Sequence, residues 1–321
     1  MLTCKATLTP LSAFGTPPKG DTLFGQLCWA LRNRLGEARL TQLLDGYTAG
    51  RPFVVISDAL PAGHLPRPIL PGHWFNPLPD NDRKAVKKRV WLPVEHLAAP
   101  VADWLEHCRA ASELPGGAAQ QHPHPHNAID RRTGTTGEGF APYSMGRQWY
   151  GTGAALDIHI VLDETRLPIV DLEIALRDIG ELGFGRDAGI GLGRFRLDAL
   201  APSDLPTQAD ADAWLTLAPC APQGLSWDDT RCFYTVFTRF GRHGDIGVHR
   251  GNPFKTPVLL ANTGAVLVPT AYRVVPFTGQ GLGGKDADGE GILSKAIPET
   301  VHQGYAPVVG IRLPTWGENK P

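Results

Sequence analysis

Apolar positions change their period several times along the chain, and each change marks an element. Residues 2–11 read as a strand, and the loop over 12–20, with its prolines and small residues, ends it. From Asp21 the pattern turns helical: Leu23, Phe24, Leu27, Cys28 and Leu31 share one face, predicting a helix over 21–35 with Asp21 as its cap and Gly36 at its end. A second short helix is predicted to residue 45. The β-branched run over 53–56 reads as a strand, and the proline-studded stretch 61–79 reads as an irregular surface excursion. Next come a basic segment over 83–89, an amphipathic helix over 94–108, and a Gly-, Gln-, His- and Pro-rich stretch over 110–125 that is expected to be a mobile loop.

The second half of the pattern begins with a strand over 155–162, a helix over 170–182 and a strand over 194–200. Together with the opening segments this gives strand, helix, strand twice over, which is the ferredoxin-like order. A Pro-, Asp- and Ala-rich stretch over 201–211 looks like a linker, and beyond it residues 232–240, 258–260, 265–268 and 308–313 read mainly as strands. The chain's 321 residues, 42% apolar, favour two domains. Lys plus Arg (31) nearly cancel Asp plus Glu (32), so a polyanionic partner has to be held by local patches. No window approaches the apolar length of a membrane span and no signal peptide is legible, so a cytoplasmic protein is expected. The cysteines, Cys4, Cys28, Cys108, Cys220 and Cys232, are odd in number and never form a C-x-x-C pair, which argues for small buried apolar roles.

The densest chemistry lies in residues 183–195, where Gly183, Gly185, Gly189, Gly191 and Gly193 are interleaved with Arg186 and Arg194. Glycine lets backbone N–H groups approach a phosphate, and arginine adds bidentate charge. The same run also suits a tight helix-to-strand connection, and both readings stand. A second glycine run, Gly279 to Lys285, imitates a nucleotide-binding loop, but Asp286 stands at the hydroxyl position that would hold magnesium. A calcium loop fails at Ile297, and an acidic hairpin loop is the better reading. His122-Pro-His-Pro-His126 invites a metal, but no cysteine or acid follows at ligand spacing, and a solvated loop is expected. Asp21 as a catalytic carboxylate is outweighed by its role as a helix cap.

Several segments, taken in order, resemble the repeat-associated mysterious protein (RAMP) superfamily, and within it the fourth Csm subunits of type III-A CRISPR complexes. They are residues 19–29 with Lys19, residues 52–61 and 65–68, Asn127-Ala-Ile-Asp-Arg131 with Thr133 and Gly134, the glycine loop, residues 254–266 and residues 302–305. The resemblance implies an α+β chain of two ferredoxin-like (RRM-like) domains. The first spans 1–200 and carries an RNA-binding β-hairpin "thumb" over about 127–150, and the second spans 201–321. It further implies a subunit that holds the repeat-derived 5′ tag of the guide RNA and touches the large Cas-ten subunit and a Csm-type backbone subunit, with target RNA met only indirectly. RNA contacts are then expected from Lys19, His126, Asn127, Arg131, Arg132, Thr133, Arg147, Gly185, Arg186, Gly189, Gly191, Gly193 and Arg194. Phe140, Tyr143, Trp149 and Tyr150 suit base stacking.

The reading is thus a non-catalytic RNA-binding scaffold of a ribonucleoprotein in antiviral defence, with no cofactor, no metal and no membrane. The rival is a metal-independent, guide-processing endoribonuclease of the same superfamily, using His126, His159 or His302 as base.

Overall fold

The computed structural model describes residues 1–78, 82–136, 141–224, 226–249 and 251–314. Alternation in β1 (Leu2–Pro10) buries Cys4, Ala6 and Leu8 and turns Lys5 and Thr7 to the other face. Helix α1 (Gly20–Leu35) follows and buries Leu23, Phe24, Leu27 and Leu31. Its start is fixed by close approach: a Cβ on Gly20 would sit 2.2 Å from the Ile56 carbonyl oxygen, so only glycine fits. Asp58 then accepts the Gly20 N–H at 2.8 Å, satisfying one orphan donor of the first turn. Asp21, expected as the cap, instead lies inside the first turn with its carboxylate buried.

The chain continues through α2 (Glu37–Leu44), β2 (Val54–Ile56), β3 (Leu60–Pro61), β4 (His64–Pro66), α3 (Arg83–Lys88), β5 (Arg89–Pro93), α4 (Trp104–His107) and β6 (Arg109–Ala110). Then come β7 (Gln120–His126), β8 (Tyr143–Trp149), β9 (Leu156–Leu162), α5 (Ile169–Leu182) and β10 (Phe195–Pro202). The principal sheet has the antiparallel order β10-β1-β9-β2, with β3 adding to β9. Helices α1 and α5 cross over one face and close a core with Ala6, Ile158 and Ile160. Each leucine, isoleucine or phenylalanine side chain buried there contributes about 1.5–3 kcal/mol.

The C-terminal half comprises β11 (Ala213–Thr216), β12 (Val236–Arg239), β13 (Val258–Ala261), β14 (Val266–Leu267), β15 (Phe277–Gly283) and β16 (Val301–Ile311). They form a four-stranded antiparallel sheet, β14-β11-β16-β15, and a ribbon of β12 with β13. Among the described residues no α-helix follows α5, so the crossover helices of a second ferredoxin-like unit over 201–321 are not seen. The physical reason is visible in the sequence, which offers no sustained helical period there and breaks its apolar runs with Pro and Gly.

The boundary expected near residue 201 is crossed by a shared core. Leu65, Trp74 and Phe75 from the excursion over 61–79, with Leu92, Trp104 and Cys108 after it, pack with Leu215, Val266 and Val309 of the C-terminal sheet. Proline and aromatic content that reads as irregular surface therefore lines a second core. Other expectations shift as well. Residues 94–108 form 3-10 turns and the single short helix α4 rather than one amphipathic helix. The stretch to residue 125 ends in strand β7, not in a loop. The glycine run from Gly279 to Gly283 is strand β15, paired along its length with β16.

Candidate nucleic-acid interface

Two strands, two anchoring segments and one exposed face make up the site. Strands β7 and β8 pair in register from Gln120↔Trp149 to His126↔Tyr143, forming a two-stranded ribbon. Pro123 and Pro125 occupy alternate positions; a strand with a partner on one side turns every second N–H outward, so neither proline removes a ladder donor. The same alternation puts His122, His124 and His126 on one face, together with Tyr143, Arg147 and Trp149 from β8. His126 stacks on Tyr143 with ring centroids 5.0 Å apart, and His124 meets His126 edge-on at 5.2 Å. The Arg147 Nε and the His126 Nε2 are enclosed without a hydrogen-bond partner. Neither strand contains a carboxylate.

The ribbon's base is clamped. Phe14 exchanges both backbone hydrogen bonds with Gln148, at 2.8 and 2.9 Å, and its buried ring meets Tyr150 edge-on and Phe184. Arg186 of the glycine loop donates from Nη2 to the Gly146 carbonyl at 2.6 Å. The loop itself is braced against residues 11–19: Arg186 N–H donates to Thr16 Oγ1, Arg194 N–H to Ser12 Oγ, and Gly193 N–H to the Ala13 carbonyl. Gly193 is obligatory, since its φ is +71° and a Cβ there would lie 2.1 Å from the Phe184 carbonyl oxygen.

The loop's glycines therefore divide. Gly183 and Gly193 are buried and serve the tight connection, and Gly185 packs against Thr16. Gly189 and Gly191 have open space around them, and with Ile190 and Arg194 they form the exposed rim. The Gly191 N–H is spent on the Ala188 carbonyl, so the run is not a row of bare donors.

The remaining sequence-predicted residues scatter. Asn127, Arg131, Arg132 and Thr133 are exposed beyond β7, where the Asp130 carbonyl accepts from Thr133 and Gly134 in a tight turn and Arg132 lies 3.5 Å from the Asp130 carboxylate. Phe140, with Gly137 and Gly139, lies outside the described residues. Lys19 is engaged internally: its ammonium bonds Asp58 at 2.9 Å and sits over the Phe237 ring at 5.1 Å, which removes it from the open face.

Asp21 is 3% exposed and takes two hydrogen bonds from Arg239, at 2.6 and 2.9 Å. His302 Nε2 stands 3.4 Å away. Burial alone raises this carboxyl's pKa, but the His302 imidazole and the Arg239 fork outweigh it and hold the pKa well below the usual range. Asp21 is thus a structural counter-ion. His159 is buried in β9, where desolvation, opposed by Asp157 and assisted by Lys5, pushes its pKa down to about 4. The three histidines weighed as bases lie on three different elements: β7, β9 and β16. Among the described residues no cluster of His, Cys, Asp or Glu is placed to hold a metal, and no helix is long and apolar enough to cross a membrane.

Sequence reasoning missed His122 and His124 as members of the site. The alternation of the His-Pro run was legible, but a strand's face acquires meaning only from its partner, and β8 lies across an intervening segment of low periodicity.

No protein-family model matches the chain, and no curated protein matches it in sequence. Solved structures match over nearly its whole length. A chain of the Csm1-Csm4 cassette in complex with pppApA superposes with a TM-score of 0.58 at 16% identity, covering 97% of this chain and 99% of that one. A chain of the same cassette with AMPPNP gives 0.56 at 18% identity, covering 98% and 100%. A chain of the Csm3-Csm4 subcomplex in the type III-A CRISPR-Cas interference complex gives 0.53 at 13%, covering 91% and 98%. At such identities the likeness is one of fold, and at that level the resemblance drawn from the sequence is met.

Proposed function

We propose that this chain is a guide-RNA-binding scaffold subunit of a type III CRISPR effector complex, of the Csm-four kind. The carrying observation is the β7–β8 ribbon: a carboxylate-free face of imidazole, guanidinium and aromatic groups, clamped to a glycine-rich loop, on a chain with the fold of these effector subunits. Csm4 is the component common to the cassette and the subcomplex that superpose, which supports that position in the assembly. In this reading the N-terminal sheet, with its order β10-β1-β9-β2 and two crossover helices, is the ferredoxin-like RAMP unit, and the ribbon is its thumb. The C-terminal sheet, fused to it by a common core, is a degenerate partner domain.

RNA would be held by phosphate contacts from Arg194, the loop rim and Arg147, with bases stacked on Tyr143 and Trp149. Exposed Arg131 and Arg132 extend the basic track. The large Cas-ten subunit and a Csm-type backbone subunit are the protein partners, and the setting is cytoplasmic. The subunit does no chemistry itself: Asp21 is enclosed by its counter-ions, and His126, His159 and His302 do not share an element. Incubation of the purified protein with labelled repeat RNA, without metal, tests this. Retention of the intact repeat RNA with no new bands is expected. Cleavage lost on His126→Ala, His159→Ala or His302→Ala would favour the endoribonuclease.

A further inference from the structure

The histidines of the ribbon belong to no contact that the fold requires. His122 and His124 are exposed on a strand whose main chain is already paired, and the side chains facing them come from β7 and β8 alone. Those neighbours are Gln120, whose Oε1 lies 3.1 Å from the His122 Nε2, Met145 directly across from His124, and His126, Arg147, Tyr143 and Trp149. The charges flanking the ribbon are Arg186 and Asp187 at its base, which lie 3.6 Å from one another, and Asp130, Arg131 and Arg132 in the turn beyond β7. A face with three imidazoles and a guanidinium, and with no carboxylate in either strand, offers an anion several donors and no competing negative charge. Nor is it a metal site: His124 and His126 have ring centroids 5.2 Å apart, and the backbone positions that carry the imidazoles recur along the strand at about 6.6 Å rather than converging. That spacing is comparable to the separation of successive phosphates in an extended single strand.

We propose that His122, His124 and His126 form, with Arg147, a phosphate-binding track for single-stranded RNA that takes up protons as it binds, so that the ribbon's grip strengthens as pH falls below neutrality. The proposal rests on the RNA-binding reading above and adds to it the ligand chemistry of three side chains. In the free protein desolvation, and then the charges of Arg147 and His126, push the His124 pKa below its ordinary value. A phosphodiester laid along the face reverses that balance: it neutralises Arg147, accepts hydrogen bonds from its guanidinium and from the imidazole N–H groups, and stabilises each imidazolium. A group that binds a proton more tightly in the complex than in the free protein makes affinity rise with proton concentration, by up to tenfold per unit of pH for each proton taken up.

The test is fluorescence anisotropy of labelled single-stranded repeat-tag RNA with the full-length protein at fixed ionic strength, at pH 7.5, 6.75 and 6.0. Affinity should rise about tenfold or more across that range. The triple variant His122→Gln, His124→Gln, His126→Gln should bind nearly as well at pH 7.5 and respond to pH by less than about twofold. The variant His122→Arg, His124→Arg should bind at pH 7.5 as tightly as the parent does at pH 6.0. His96→Gln with His107→Gln, a stacked pair away from the ribbon, should keep the parent's response. Binding that is flat with pH in the parent overturns the proton-linked track and leaves the scaffold reading intact, as does a response that survives the triple variant. Absence of binding at every pH overturns both.

Discussion

Among the described residues there are two two-stranded ribbons, and they are built on opposite principles. In β12–β13 the inner face is tied to the body by a buried charge: Arg239 reaches the carboxylate of Asp21 in α1 and lies over Phe237 at 4.7 Å. Its outer face exposes Val236 and Leu259, which are 63% and 67% accessible. In β7–β8 the attachment is at the base, through Phe14 and Arg186, and the face beyond it is polar, basic and aromatic. One ribbon is therefore part of the folded body, and the other is an appendage whose composition makes sense against a polyanion. The difference also separates two kinds of histidine. Buried His159 opposes protonation at a cost in stability, while the ribbon histidines lie outside both main cores.

The sharpest break comes from the buried pair. Asp21→Ala leaves the Arg239 guanidinium uncompensated and should lower unfolding stability by about 3–5 kcal/mol in urea titration. Deleting residues 120–149 and closing the gap with a short Gly-Ser linker should leave the melting temperature nearly unchanged, because none of the main cores uses the ribbon. Guide-RNA affinity should nonetheless fall at least about tenfold, since each base stacked on an aromatic ring is worth about 1–3 kcal/mol. A large stability loss on that deletion would erase the distinction between the ribbons.

A comparable stability effect separates the histidines. The folded pKa of His159, about 4, lies below its unfolded value, so the unfolded chain binds the extra proton. Stability is then full above about pH 6.5 and declines as pH falls toward 4, by about 3 kcal/mol in all. Urea midpoints at pH 7 and pH 4.5 should show it, and His159→Gln should remove most of the difference. Smaller still is the glycine loop: Arg186→Ala with Arg194→Ala should reduce the slope of log affinity against log salt by about 1 to 2. An unchanged slope would confine both arginines to bracing. Leu259→Ser, at the exposed outer face of the other ribbon, should move stability by less than about 0.5 kcal/mol.

What the sequence made legible follows from the range of the forces involved. Helices α1 and α5 and strands β1, β9 and β10 announce themselves by local periodicity, and their order suffices for the topology of the first sheet. Strands β11 and β15 were invisible because they depend on distant partners: β15 is a glycine-rich run with little to bury until β16 lies beside it. The second core escaped for the same reason, since Trp104 and Cys108 gain their burial from residues more than a hundred positions away. At the site, Arg186 and Arg194 were visible in the sequence as charges in a glycine loop. That Arg186 spends its guanidinium on the ribbon, and Lys19 its ammonium on Asp58, lies beyond what spacing can reveal. The His-Pro run was visible as an alternation, and its chemistry appeared only with the strand across from it.

The central claim is that the β7–β8 ribbon is where RNA is held. Its most direct measurement is the affinity of repeat-tag RNA for the full-length protein and for the variant lacking residues 120–149, at one salt concentration, with thermal unfolding of both recorded alongside. The account predicts equal melting temperatures and an affinity at least about tenfold weaker for the deletion. Equal affinities for two folded proteins would contradict it.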